Sequence, residues 1–259
     1  MHWVLQASFL SEPGRSALIA ALERFGISYS VHKVVPKEGD LIPEPELKHK
    51  NVICFGSYSL RPAVLRNQWS PGLFDVLDQD FETQREHWGA HMLNFDSVVS
   101  SVRDAAFTTE SMFVRPVNDS KYFSGRIFTA QEFGAWQRSI CQPEADRRTS
   151  LAPQTRIQLA PLVTIHAEYR FWIVKNEIIT QSLYRLGGKA TPAREVDEKF
   201  ASFVNERIRQ WTPHETFVID VCDTPGGIKI VEVNTLNCSA SYAADVQRLV
   251  LALEQAYSQ

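Results

Sequence analysis

Two carboxylates and an amide lie in the last two apolar runs of the chain. Asp220 sits in Phe217-Val218-Ile219-Asp220-Val221-Cys222, and Glu232 and Asn234 sit in Ile228-Lys229-Ile230-Val231-Glu232-Val233-Asn234. Asp223-Thr224-Pro225-Gly226-Gly227 between them has the composition of a turn. Side chains alternate faces along a strand, so Phe217, Ile219 and Val221 share one face, and a five-residue turn adds Val231 and Val233 to it. The opposite face then carries Asp220, Glu232 and Asn234. With Cys222 opposite Ile228, Asp220 is diagonal to Glu232, a Cα separation of roughly 7–8 Å. Oxygen ligands grouped this way repel one another unless a cation lies between them. Mg²⁺ suits them, because it takes hard oxygen ligands at about 2.1 Å and keeps water or phosphate oxygens in its remaining positions. The plain alternative is a solvated hairpin face, and a four-residue turn would scatter the three groups.

Further upstream, two other stretches could handle anions. Phe113-Val114-Arg115-Pro116 reads as a strand ending, followed by a polar loop, Asn118 to Gly125, that carries Lys121. An arginine offers phosphate a bidentate fork, whereas a lysine offers a point charge; the bland reading of Arg115 is a surface residue before a proline turn. Glu168-Tyr169-Arg170-Phe171-Trp172 places Glu168 and Arg170 on one strand face, where an ordinary salt bridge is the alternative. Gly56-Ser57-Tyr58-Ser59 follows an apolar run directly, a position that touches ligands in open α/β sheets, although a plain turn explains it equally well. Lys189, after Gly187-Gly188, reads as a solvated turn residue. His87 and His91 are four apart but lack the glutamate of a zinc protease, so they read as surface or packing histidines. The Walker phosphate loop is absent, and no Ser-His-Asp or Cys-His pairing stands out.

The elements that must position these groups follow from periodicity. Strands are expected near 3–8, 29–35, 52–55 and 111–117, and a helix over 15–25 capped by Gly26. Pro36 to Lys50 reads as an exposed loop, and Gln142 to Ser150 as a charged one. Thr129 and Glu132 form a capping box that opens a helix. A hairpin over about 163–185 turns at Lys175-Asn176. Thr191-Pro192 then opens a helix over about 193–211, whose stripe Val196, Phe200, Phe203, Val204, Ile208 and Trp211 is core. The second hairpin spans about 217–234, and a last helix about 241–256.

At 259 residues, with 44% hydrophobic and 22% charged residues, the chain can bury a substantial core. A net charge of -3 gives no electrostatic case for nucleic acid. Cys54, Cys141, Cys222 and Cys238 are scattered without metal or redox spacing, which fits reduced thiols and a cytoplasmic location. The N-terminus does not read as a signal peptide, and no apolar run approaches the roughly 20 residues a membrane helix needs.

An Asp, a glycine-containing hairpin and a closing Glu-x-Asn before a short loop and helix resemble the metal-binding end of the ATP-grasp family. That resemblance implies that Asp220 and Glu232 hold magnesium and that Asn234 completes the site near the phosphates. Thr235 to Ser241 resembles the small-residue loop that faces the acceptor substrate. Arg115 stands where most members carry lysine; this resembles a branch common in phages and bacteria, with Lys121 as its second basic residue, and implies that Arg115 and Lys121 clamp the phosphates. Leu159-Ala160-Pro161-Leu162 resembles the hinge that contacts adenine, with Leu159, Ala160 and Leu162 at the base, although the carboxylate many relatives carry there is missing. Glu168 is implied to meet the ribose and Arg170 to stabilise the transferring phosphoryl group. The implied fold is α+β: an N-terminal α/β pre-grasp lobe (1–95), then an ATP-grasp region (96–259) with a small lobe over about 96–162 and a C-terminal lobe over about 163–259, ATP lying between two sheets. The implied activity is an ATP- and Mg²⁺-dependent, ADP-forming carboxylate–amine ligase working through an acyl phosphate, with Arg170 and Arg115 as catalytic residues and small-molecule or peptide carboxylates and amines as substrates. A non-catalytic nucleotide sensor and a phosphotransferase on the same fold remain the alternatives, and the oligomeric state is open.

Overall fold

The computed structural model describes residues 1–8, 14–76, 80–118, 123–143, 149 and 151–258. They form two compact units. One comprises residues 1–76, 166–223 and 232–259, and the other residues 77–165 and 224–231.

The first unit begins with β1 (His2–Gln6), α1 (Gly14–Arg24), β2 (Ser28–Val34), β3 (Leu41–Ile42), β4 (Asn51–Phe55), α2 (Arg61–Asn67) and β5 (Ser70–Gly72). These strands form one sheet in the order β3-β2-β1-β4-β5. β1 runs parallel to both β2 and β4, with Leu5 opposite Val31 on one side and Phe55 on the other. Central parallel strands are covered on both faces, which explains their nearly continuous apolar runs. The Pro36–Lys50 segment, expected to be loop, contains β3, which pairs antiparallel with β2 through Lys33 and Ile42.

The same unit then adds β10 (Ala167–Val174), β11 (Glu177–Leu186), β12 (Lys189–Ala193), α5 (Glu198–Gln210), β13 (Phe217–Thr224) and α6 (Val246–Tyr257). A second sheet runs β12-β11-β10-β13 and continues into β14 (Gly227–Asn234), whose last residues Glu232–Asn234 belong to this unit. One apolar core joins the sheets through the two helices. Trp3, Leu5 and Phe55 of the parallel sheet, Leu18 and Leu22 of α1, Trp172, Val174 and Val218 of the second sheet, and Leu249, Val250 and Leu253 of α6 are all in it.

The hairpin at Lys175-Asn176 forms as expected, with both residues at positive φ (51° and 63°), the conformation of a two-residue turn that matches strand twist. Three expectations need correction. Thr191-Pro192 does not open a helix but lies in β12, an edge position where proline's missing N–H is harmless; α5 starts at Glu198, capped by Asp197, whose side chain accepts from the Lys199 N–H. The second hairpin turns through Pro225-Gly226 alone rather than through five residues, with Gly227 at φ 92° opening β14. α6 starts at Val246, later than expected, because Asp245 caps it.

The second unit holds α3 (Phe81–Trp88), β6 (Val98–Ser101), β7 (Ser111–Pro116), β8 (Arg126–Thr129), α4 (Ala130–Ile140) and β9 (Arg156–Ala160). Its antiparallel sheet runs β6-β9-β7-β8. α4 opens with the Thr129–Glu132 capping box. Phe133 of α4 is buried with Val114, Phe128, Ile157 and Leu159.

Candidate active site

β10 and β13 pair so that Arg170 lies opposite Asp220. The Arg170 guanidinium grips that carboxylate with both prongs: Nε donates to Oδ1 and Nη2 to Oδ2, each at 2.7 Å. This is the fork geometry that distinguishes arginine from lysine. Asp220 is only 1% exposed. The alternation argument therefore places Asp220 away from Phe217, Ile219 and Val221 correctly, but its face is buried rather than solvated, because every residue of β13 through Cys222 is buried.

Glu168 shares the Arg170 side of β10 and is held by β11. A register shift between Glu168 and Tyr169 leaves Tyr184 as an extra residue between Arg185, opposite Glu168, and Leu183, opposite Tyr169. Such a bulge re-aims side chains, and here both neighbours reach the same carboxylate. Tyr184 OH donates to Glu168 Oε2 at 2.7 Å and Arg185 Nη1 donates to Oε1 at 2.8 Å. Both Glu168 oxygens thus already accept hydrogen bonds from within the sheet.

Burial raises the Asp220 pKa most, the Glu232 and Glu168 carboxylates raise it further, and Arg170 only partly reverses this, leaving it pushed up to about 6. For Arg170, burial pulls the pKa down, but the Asp220 carboxylate more than offsets that and the guanidinium stays charged. Among the described residues Asp220 pairs with Arg170 and Glu168 with Arg185, and the Glu232 carboxylate lies within electrostatic reach of Asp220. Buried ion pairs contribute little net stability, and a perturbed titratable cluster is a mark of function.

Asn234 Nδ2 donates to Glu232 Oε1 at 3.0 Å, so the two β14 side chains form a pair at the end of that strand, both half-buried. The five-residue turn expected to set Asp220, Glu232 and Asn234 on one face does not form, but their oxygens are carboxylate and amide, the kinds a hard divalent cation takes. Among the described residues no three His, Cys, Asp or Glu side chains are grouped closely enough to hold an ion on their own. A cation here would draw on Asn234 and on ligand or water oxygens, and Asp220 would contribute lone pairs left over from its Arg170 fork.

The loop after β14 is anchored to the parallel sheet by Asn237, which is fully buried. Asn237 Nδ2 donates to the Cys54 carbonyl, Oδ1 accepts from the Phe74 N–H at 2.7 Å, and its own carbonyl accepts from the Gly56 N–H at 3.0 Å. Thr235 Oγ1 adds a bond to the Phe74 carbonyl. The Gly56–Ser59 segment is thus part of this support. Gln6 Oε1 accepts from Ser57 N and Oγ, and a Cβ at Gly56 would lie 2.6 Å from Gln6 atoms. Sequence reasoning missed Tyr184, Arg185 and Asn237. Only the bulge brings the first two to Glu168, and nothing in a run of small polar residues singles out the third.

In the second unit, Arg115 lies on β7 opposite Gln158, with Gly125 packed so closely against it that a Cβ there would meet Arg115 Cβ at 3.1 Å. Leu159 and Ala160 are buried in β9, whereas Leu162 is exposed. Lys121 lies outside the described residues. His87 and His91 are exposed, as is Lys189.

Many solved structures share the fold, among them three ligases and synthetases. The D-alanine–D-alanine ligase from Bacillus anthracis complexed with ATP aligns with a TM-score of 0.65 at 12% identity, covering 100% of this chain and 97% of that one. The D-cycloserine synthetase DcsG aligns at 0.62 and 13% identity over 98% and 99% of the two chains. The ATP-grasp ligase PsnB complexed with minimal precursor aligns at 0.57 and 13% identity over 100% and 99%. No curated protein matches the chain in sequence. None of the described helices is long and apolar enough to cross a membrane. Residues 59–253 match the family model described as an ATP-grasp domain, the third family of its clade, and the chain belongs to that ATP-grasp family.

Proposed function

We propose that the protein is an ATP- and Mg²⁺-dependent ligase that joins a carboxylate to an amine and releases ADP. The observation that carries this reading is the buried Arg170–Asp220 fork, with the Glu168 and Glu232 carboxylates within its electrostatic reach, in a chain of the ATP-grasp family. Asp220, Glu232 and Asn234 are the residues that would hold magnesium, which when bound supplies positive charge against phosphate oxygens.

Catalysis of phosphoryl transfer rests on positioning and on charge neutralisation. Arg170 is suited to that work, since Asp220 fixes two of its nitrogens and, among the described residues, Nη1 makes one weak 3.5 Å contact, to the Ala240 carbonyl. Arg115 and Lys121 are proposed as the phosphate clamp, Leu159, Ala160 and Leu162 as the adenine contacts and Glu168 as a ribose contact. Because Tyr184 and Arg185 already occupy both Glu168 oxygens, a ribose hydroxyl would have to share them. In the proposed reaction, a carboxylate oxygen of the substrate attacks the γ-phosphorus and ADP leaves. The amine then attacks the acyl carbon of the resulting acyl phosphate, losing a proton, and inorganic phosphate leaves. The substrates are proposed to be small molecules or peptides, the classes that the names of the structural neighbours point to.

Incubation with MgATP and panels of carboxylates and amines tests the reading. ADP formed only when both partners are present supports it. ADP with one partner and a stable phosphorylated product identifies a phosphotransferase, and saturable ATP binding without turnover across the panels identifies a sensor.

A further inference from the structure

Tyr242 is the residue of this cluster that motifs do not reveal. Its backbone lies in the left-handed region at φ 45°, which a ring-bearing residue rarely adopts. Strain of that kind persists only where the surroundings hold it, and it collects at functional sites. The surroundings here are specific. Thr180, Ser182 and Tyr184 alternate along one face of β11, and each grips the loop. Thr180 Oγ1 accepts from the Asp245 N–H at 2.8 Å, Ser182 Oγ accepts from the Ala243 N–H at 3.2 Å, and the Tyr184 ring stacks on Tyr242 at 4.8 Å and 11°. Arg194 Nε donates to the Ala243 carbonyl at 3.1 Å. Pinned on its C-terminal side, the backbone delivers the Tyr242 ring to Arg170, whose guanidinium carbon lies 5.1 Å from that ring centre and 5.7 Å from that of Tyr184. With the two rings 4.8 Å apart, the three centres make a nearly equilateral triangle. Arg170 therefore flanks the aromatic pair rather than being sandwiched by it.

The Tyr242 hydroxyl makes no hydrogen bond among the described residues, although it lies in the field of Arg170, Asp220, Arg185 and Glu168. Burial chiefly, with Asp220 and Glu168 adding, raises its pKa, so the phenol remains a proton donor. Tyr242 is also 41% exposed, so a ligand has access to it. The Arg170 guanidinium lies against the Tyr242 ring, its carbon 5.1 Å from the ring centre, and among the described residues its Nη1 makes only the 3.5 Å contact to the Ala240 carbonyl. Two under-used donors on side chains that touch suit one anionic oxygen.

We propose that Tyr242 is a ligand-contacting residue of the active site, its phenol donating a hydrogen bond, alongside Arg170, to an oxygen of the transferring phosphoryl group. This rests on the ligase reading given above and adds to it a residue and a ligand atom.

The test compares the wild-type chain with Tyr242→Phe, which keeps the stacked ring and removes only the hydroxyl. Calorimetry measures affinity for Mg-AMPPNP and for MgADP with fluoroaluminate, which mimics the phosphoryl group in transfer. The expected result is Mg-AMPPNP affinity within about twofold of wild type and a loss of about tenfold for the fluoroaluminate complex, the size of one hydrogen bond to a charged group. Tyr184→Phe, whose hydroxyl serves Glu168 instead, should leave the ratio of the two affinities unchanged. Equal fluoroaluminate affinity in wild type and Tyr242→Phe overturns the proposal and leaves the ligase reading standing. So does a wild-type chain that binds Mg-AMPPNP yet gains nothing from fluoroaluminate. A wild-type chain that binds neither nucleotide overturns the ligase reading and this proposal with it.

Discussion

The two sheets of the first unit both bury polar side chains, but in opposite ways. In the parallel sheet, His2 and His32 are buried and meet through Ser30, whose Oγ lies 2.8 Å from His2 Nε2 and 2.7 Å from His32 Nε2; His32 Nδ1 reaches the Pro43 carbonyl. These bonds need no net charge, and each ring finds its partner on its own sheet or the adjoining loop. In the antiparallel sheet, Glu168, Arg170 and Asp220 are buried in ion pairs, Arg170 forked onto Asp220 and Arg185 bonded to Glu168. A satisfied neutral group is what a core requires. A buried ion pair contributes little net stability, so it directs attention to something that binds there.

The sharpest way to break this contrast is to remove one ion. Arg170→Ala leaves Asp220 buried without its fork and should cost about 3–5 kcal/mol in urea unfolding. The double variant Arg170→Met/Asp220→Leu should recover most of that loss while ADP formation stays absent. If the double variant keeps its activity, the cluster is structural, like the histidines of the other sheet. Glu232→Gln sharpens the same point, because Glu232 is only half-buried and its replacement is nearly isosteric. Stability should change by less than about 1 kcal/mol, whereas turnover with MgATP should vanish; a fully active variant would remove the metal role. Asn237→Ala comes next. It strands the Phe74 N–H and the Cys54 carbonyl inside the unit and should cost about 1–3 kcal/mol, measured as a lower denaturation midpoint with an unchanged slope.

How legible the molecule was in its sequence follows the same division. Strands with clear periodicity, such as β1, β4 and β13, and caps with a local cause, such as Thr129–Glu132, could be read directly. Thr191-Pro192 misled because a proline suits an edge strand as well as a first helical turn, and only tertiary pairing decides between them. Short elements owe their existence to pairing rather than to a local pattern: β3 to the neighbouring β2, β5 to β4, and β6 to the more distant β9. For the candidate site, the sequence and the family resemblance singled out Glu168, Arg170, Asp220, Glu232 and Asn234, and the structure brings Glu168, Arg170 and Asp220 into one buried cluster. The Arg170–Asp220 fork itself depends on the β10–β13 register, which no local pattern specifies. Tyr184 depends on a bulge, and Asn237 and Tyr242 on a loop folded back over other strands, so their roles are visible only in three dimensions.

The smallest effect expected lies in the quiet half of the comparison. Burial lowers the His2 pKa below its ordinary 6.5, and the nearby His49, His32 and N-terminal ammonium lower it further. The folded chain therefore resists protonation there while the unfolded chain does not. Above about pH 6.5 both states hold a neutral ring and nothing is lost. As pH falls through that value, the unfolded state gains a proton first and stability declines, until the folded ring also protonates at its lower pKa and the loss levels off. Unfolding midpoints measured between about pH 7.5 and 5 should fall for the wild-type chain and fall less for His2→Gln, which keeps a hydrogen-bonding group near Ser30 but cannot titrate. If His2→Gln declines just as steeply, the acid sensitivity lies elsewhere, and the parallel sheet is even more purely structural than the contrast assumes.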